Sequence, residues 1–288
     1  RSSDLVYIHD FNGRLIDANP ALLHLLGYTR TEISGIPITT FIDNDQLVQA
    51  RKILDEIREQ GYQAQYTEYR LKSRYGSEIH IQTSGFLIYH GAKPYAILQI
   101  GRDITDRKKN LSLLDFIARC AMEFVQMSSE EDVYGVIARK LREIIGNAVI
   151  SVGSFDESSN MLETRVVLGI DPNLESIVKF WGRNPVGMTY HLNESQKEPI
   201  RTGTLTHVQG GLHELSFGSI PKIACRILET MFSVNRVYGI GFTSKGFIYG
   251  VATVITFKNS PPIDVELVEA YCSQASIALQ RWMAEKTL

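Results

Sequence analysis

Gly101-Arg102-Asp103-Ile104-Thr105-Asp106-Arg107-Lys108 is the stretch on which the fold of this chain turns. Upstream of it, residues 95–102 read as the third of three strands, after 65–73 and 78–89, which alternate in the two-residue period of a half-buried strand. Downstream, residues 106–127 contain neither Pro nor Gly. There Leu114, Ile117, Ala121 and Phe124 recur at spacings of three and four, the period of a helix with one apolar seam. A sheet ends and a long helix begins here, so the chain divides near residues 104–112.

Composition agrees with two domains. The chain has 288 residues, 44% apolar and 22% charged, enough to fill two cores of ordinary size. With 30 basic against 32 acidic residues the net charge is -2, which disfavours a nucleic-acid binder. No apolar run is long enough to span a membrane. Cys120, Cys225 and Cys272 are odd in number and far apart, forming no disulfide framework and no metal motif. This points to a reducing, cytoplasmic setting. The opening at Arg1 without a methionine reads as a piece cut from a longer protein, with any catalytic output lying elsewhere in the parent.

Working back from the junction, residues 5–10 and 14–18 are two short strands around Asn12-Gly13, a strong hairpin signal. Asn19-Pro20 caps a short apolar helix that Gly27 ends. A longer helix over residues 45–60 is capped by Asp43 or Asn44 and stopped by Gly61. Strands over 65–73, 78–89 and 95–102 complete an antiparallel sheet. Working forward, Ser128 or Ser129 caps a helix reaching Ile145, with Ser128 and Glu131 as a capping box. Strands at 148–156 and 162–169 follow, then a short helix from Asp171-Pro172 to Trp181. A loop-rich stretch over 183–218 carries a strand at 205–208. A helix over 220–232, strands over 237–243 and 247–256, and a long helix over 264–286 end the chain. The fold class is α+β: two antiparallel-sheet domains joined by a long helix.

Several of these residues carry a family resemblance. Asp10-Phe11-Asn12-Gly13, Ile16-Asp17-Ala18-Asn19-Pro20-Ala21, Leu26-Gly27-Tyr28, Tyr75-Gly76-Ser77-Glu78 and above all Asp103-Ile104-Thr105 resemble a PAS domain over residues 1–108. The resemblance implies that Asp103, Ile104 and Thr105 couple the last strand to a signalling helix. Residues 109–127 are then a linker and first helix, and residues 128–288 resemble a GAF domain through their element order. The pair is similar to the sensory region of a multidomain histidine kinase of bacterial or methanogenic-archaeal type, which implies a signal-sensing module with a kinase downstream. A ligand-free dimerisation module is the alternative.

No enzyme motif is present: no G-x-x-x-x-G-K-[ST], no H-E-x-x-H, no G-x-S-x-G. The fragment is therefore expected not to be an enzyme. Residues 1–108 hold no Cys, which excludes a flavin–thiol adduct, and residues 45–60 hold no His for haem. A pocket there is expected to be filled by its own side chains, with His24 a partnered core residue. In the second half, Cys225 is followed by Arg226, not by the His of bilin-binding GAF domains. Haem remains a candidate cofactor, because some archaeal kinases that the chain resembles carry it in a GAF domain. Its candidate ligands are Cys225 with His207 or His213. The bland reading makes Cys225 a small apolar core residue.

Val268, Tyr271, Ala275, Ala278 and Trp282 form a second seam at spacings of three and four. With Leu114, Ile117, Ala121 and Phe124 it is expected to form a parallel homodimer interface. A single-chain core would produce the same stripes.

Overall fold

The computed structural model describes residues 4–128, 130–169, 184–216, 218 and 220–286. It falls into two compact units, Arg1–Ser112 and Leu113–Leu288. The helix expected over 171–181 lies outside the described residues.

In the first unit, β1 (Leu5–His9) and β2 (Leu15–Ala18) pair through the Asn12-Gly13 turn, Gly13 sitting at φ 76 as such a turn requires. Next come α1 (Pro20–Leu26), α2 (Arg30–Ile33) and α3 (Leu47–Gln60). The Asn19 side chain accepts the Leu22 N–H, and Gly27 closes α1 in the left-handed region. Thr29 and Glu32 make a full capping box on α2. The expected start of α3 is instead a 3-10 turn, Asn44–Gln46, with Asp43 as its cap. Strands β3 (Thr67–Lys72), β4 (Glu78–His90) and β5 (Lys93–Asp103) complete a five-stranded sheet in the order β2-β1-β5-β4-β3. Leu5, Tyr7, Ile79, Ile81 and Leu71 cover its inner face against Leu22, Leu26 and Ile33.

The junction helix α4 spans Thr105–Gln126. In the second unit its later turns lie beside α5 (Val133–Ile145) and the last helix, Val265–Lys286. The predicted cap of α5 at Ser128 is four residues early, and the alternative, Ser129, lies outside the described residues. Ser128 and Glu131 do contact each other at 3.4 Å, but in a separate turn, and Asp132 occupies the cap position.

Strands β6 (Ala148–Asp156), β7 (Met161–Leu168), β8 (Thr189–His191), β9 (Thr206–His207), β10 (Val234–Ser244) and β11 (Phe247–Phe257) form a sheet in the order β8-β7-β6-β11-β10-β9. Between β8 and β10 lie α6 (Glu194–Arg201), α7 (Gly211–Leu215) and α8 (Lys222–Met231). The stretch read as loop hides α6, because Pro199 inside it looks like a breaker; the Asn193–Gln196 capping box starts it regardless. The last helix is α9 (Val265–Lys286).

One face of this sheet carries Ile150, Val152, Ile240, Phe242, Ala252 and Val254, all buried under α5 and α9. This corrects the dimer seam. Val268, Tyr271 and Ala275 are 0%, 1% and 0% exposed inside their own unit. Phe124 stacks on Tyr271 with ring centroids 5.8 Å apart, and Trp282 stands edge-on to Tyr134 at 5.8 Å. Ile117, Ala121 and Ala278 are half-buried. The stripe of α9 is periodic because it packs on its own sheet. The outward stripe of α4 keeps Leu114 of the predicted seam but continues through Ala118, Met122 and Val125, with Leu114 at 62% and Val125 at 66% exposure.

Candidate functional site

The Asp103-Ile104-Thr105 junction is a knot of backbone and side-chain bonds. Ile104, 4% exposed, closes the core, and its N–H donates to the His80 carbonyl at 2.8 Å. Asp103 Oδ1 accepts the Thr105 N–H at 2.8 Å, which satisfies one of the free donors at the helix start. Thr105 Oγ1 accepts the His80 N–H at 2.9 Å. One turn on, Lys108 Nζ meets Glu68 of β3 at 2.6 Å. The first turn of α4 is thereby fastened to β4, the neighbour of β5, and to β3 beyond it.

Inside the first unit the space between sheet and helices is small. A cavity of about 50 Å3 lies among Tyr7, His9, Leu54, Tyr69 and Gln99. That is room for water, not for a cofactor. His24 is exposed, against expectation, and the buried imidazole is that of His9. His9 Nδ1 faces the Asp10 carbonyl at 2.8 Å, and burial pushes its pKa below the ordinary histidine value.

The second unit differs. The sheet face opposite the core bounds a cavity of about 1020 Å3, at the upper end of the size of small-molecule sites. Its origin lies in the strand alternation. Positions facing the core in β6, β10 and β11 are Ile, Val, Phe and Ala, whereas those facing the cavity include Ser151, Gly153, Gly239 and Thr253. Apolar clusters close the two ends. One holds Phe155, Leu162, Ile248 and Val251 with Ile200. The other holds Leu212, Leu228 and Val237 with Phe232 and Ile255. Between them the small residues Ser151, Gly153, Gly239 and Thr253 line the cavity.

Not every glycine there serves the cavity. A Cβ at Gly241 would lie 2.1 Å from the Ile200 carbonyl, so that glycine lets α6 approach the sheet. A Cβ at Gly239 would meet only Val208, at 3.8 Å, and would point into open space. Sequence reasoning passed over these residues, although the signal was present: Gly, Ser and Thr at every second position of strands otherwise rich in Val and Ile.

The haem ligand set does not assemble. His207 lies on the cavity rim, exposed and edge-on to Tyr238 at 5.8 Å. Cys225 and His213 are not among the cavity's lining residues; both turn to the Ile220 carbonyl, Nδ1 of His213 at 2.8 Å and Sγ of Cys225 at 3.9 Å. Burial raises the Cys225 thiol pKa, which disfavours the thiolate a metal needs. Among the described residues no group of three or more His, Cys, Asp or Glu could hold a metal ion. The residues present do not fit a Cys–His-ligated haem, and Cys225 is the small core residue of the bland reading.

Residues 3–106 match the family model of the PAS domain, and this part of the chain is a PAS domain. Among solved structures, the PAS domain of a protein from Colwellia psychrerythraea is 24% identical, covers 36% of this chain and 87% of its own, and gives a TM-score of 0.33. A domain of a sensory box sensor histidine kinase/response regulator from Geobacter sulfurreducens is 28% identical over 35% of this chain and 82% of its own, with a TM-score of 0.30. The chromophore-binding domain of a bacteriophytochrome from R. palustris covers 98% of this chain and 94% of its own at 9% identity, with a TM-score of 0.43. No curated protein matches the chain. No helix among the described residues is long and apolar enough to cross a membrane.

Proposed function

We propose that this chain is the signal-input region of a signal-transduction protein. In this reading the second unit is a GAF domain that takes a small molecule into its cavity, and the PAS domain and α4 carry the response. The observation that bears most weight is the cavity of about 1020 Å3 on the small-residue face of the second sheet. The order of that unit supports the GAF reading: helices, β6 and β7, a varied region, β10 and β11, and the closing helix α9. The fastening of Thr105 to His80 supports a role for α4 in transmission.

The parent is a cytoplasmic histidine kinase in this proposal, and the fragment itself does no chemistry. It acts as a parallel homodimer through the outward stripe of α4, not through the α9 residues that fill the core. A ligand shifts such a dimer only if it binds one helical arrangement more tightly than the other. The test is native mass spectrometry of the whole chain after incubation with a small-molecule extract of cells. A one-to-one adduct on the wild type, lost in Gly239→Leu, is expected. Identical spectra for the two would sink the cavity reading.

A further inference from the structure

We infer that the cavity of the second unit is built for a neutral small molecule with an apolar body that presents one hydrogen-bonding edge to the sheet. This rests on the reading of the cavity as a small-molecule site and names the class of molecule it takes.

The floor is the first observation. Ser151, Thr164 and Thr253 line the cavity from three neighbouring strands, β6, β7 and β11. Thr253 is directly opposite Ser151, and Thr164 is opposite Gly153, two residues further along β6. With strands roughly 5 Å apart, the three hydroxyls span roughly 10 Å across the sheet. Gly239, opposite Thr253 on β10, extends this floor with a residue that has no side chain. The floor is neutral throughout.

The second observation is that these hydroxyls are unused. None of the three makes a side-chain hydrogen bond to any described residue, and Thr164 is only 9% exposed. Thr164 is nevertheless held in place, its backbone N–H donating to the Met188 carbonyl at 2.9 Å. Ser151 and Thr253 are half-buried, so the row faces the cavity with donors and acceptors free to bond to what fills it.

The third observation is the chemistry of the walls. Leu162, Val251 and Ile200 belong to one apolar cluster and Leu228, Phe232 and Ile255 to another. Apolar walls beside a hydroxylated floor select a molecule with an apolar body and its polar edge toward the sheet. Glu214 and His207 also line the cavity, but both are exposed to solvent, so a charged edge on the floor itself would face hydroxyls and no opposite charge, which costs more than a neutral edge. A wholly apolar ring would strip water from the hydroxyls and give nothing back.

The experiment uses two fluorescent tricyclic probes on the whole chain. Lumichrome has a ring edge of carbonyl and N–H groups, and phenanthrene has none. Lumichrome is expected to bind one-to-one and at least tenfold more tightly than phenanthrene. Ser151→Ala, Thr164→Val and Thr253→Val should each weaken lumichrome about three- to tenfold and leave phenanthrene unchanged. Gly239→Leu should abolish both, with an unchanged circular dichroism spectrum. If phenanthrene binds as well as lumichrome, or the hydroxyl variants affect both probes alike, the class assigned here is wrong while the cavity reading stands. If neither probe binds the wild type, both are wrong.

Discussion

The Thr105 hydroxyl accepts the backbone N–H of His80 at 2.9 Å, tying the first turn of α4 to the start of β4 across twenty-five residues of sequence. The same His80 receives the Ile104 N–H on its carbonyl. One residue of the sheet thus holds both the end of a strand and the start of a helix. Replacing Thr105 by Val removes the acceptor and leaves the His80 N–H unpaired. The expected loss is about 1 kcal/mol of stability for the PAS domain, with faster amide exchange at His80. Thr105→Ser keeps the oxygen and should keep most of the protection. Equal exchange in all three proteins would contradict this role.

At the far side of the PAS domain, Glu32 caps α2 and pairs with Arg74 at 2.8 Å. The backbone N–H of Thr29 and the Arg74 guanidinium hold its carboxyl at about 2, below the ordinary 4.5. A carboxyl lowered on folding stabilises fully above its unfolded value and loses that contribution as the pH falls through the folded one. Wild type and Glu32→Gln should therefore differ most in urea midpoint above pH 4.5 and converge toward pH 2. A difference that grows on acidification would refute the sign. Thr29→Ala, which removes the other half of the box, should cost about 1 kcal/mol.

Tyr271 gives an opposite kind of prediction. Its ring is 1% exposed and stacked on Phe124, yet its hydroxyl is buried with no hydrogen-bond partner among the described residues. Tyr271→Phe keeps the packing and removes the unpaired group. Stability of the second unit should rise by about 1 kcal/mol, read as a higher thermal midpoint. A drop would show that the hydroxyl has a partner that matters.

The two glycines of β10 should behave differently. Gly241→Ala drives a Cβ to 2.1 Å from the Ile200 carbonyl and should cost roughly 3 kcal/mol. Gly239→Ala meets only Val208 at 3.8 Å and should be tolerated. Thermal melts of the two variants check the pair; equal melts would mean that α6 does not approach the sheet at Gly241.

The dimer proposed here has its own test. Leu114→Lys with Val125→Lys places charges on the outward stripe of α4 and should give a monomer by light scattering with an unchanged melting temperature. Ala275→Lys, on the stripe read from the sequence as a seam, should unfold the second unit instead, because Ala275 is 0% exposed. A dimer that survives the α4 variant would place the interface elsewhere.

What was legible in the sequence follows from which signals are local. Asn12-Gly13, Asn19-Pro20, Gly27 and Gly61 act through backbone conformation and, at Asn19, a side-chain bond to the next turn, and the elements they bound are where the sequence puts them. Ile104 and Thr105 were legible because the junction motif is contiguous. The partner of a helical stripe is not local information: Val268, Tyr271 and Ala275 have the same spacing whether they meet a second chain or their own β6–β11 sheet. The cavity was missed for a similar reason. Ser151, Gly153, Gly239 and Thr253 are unremarkable until the register of β6, β11 and β10 places them on one face, and Pro199 disguised the helix that borders it.

The central claim is that the small-residue face of the second sheet is a ligand site. The most direct measurement is native mass spectrometry of the intact chain beside its Gly239→Leu variant, after the same exposure to a small-molecule extract. The account predicts a one-to-one adduct on the wild type and a bare, folded protein for the variant. An adduct on both, or on neither, would contradict it.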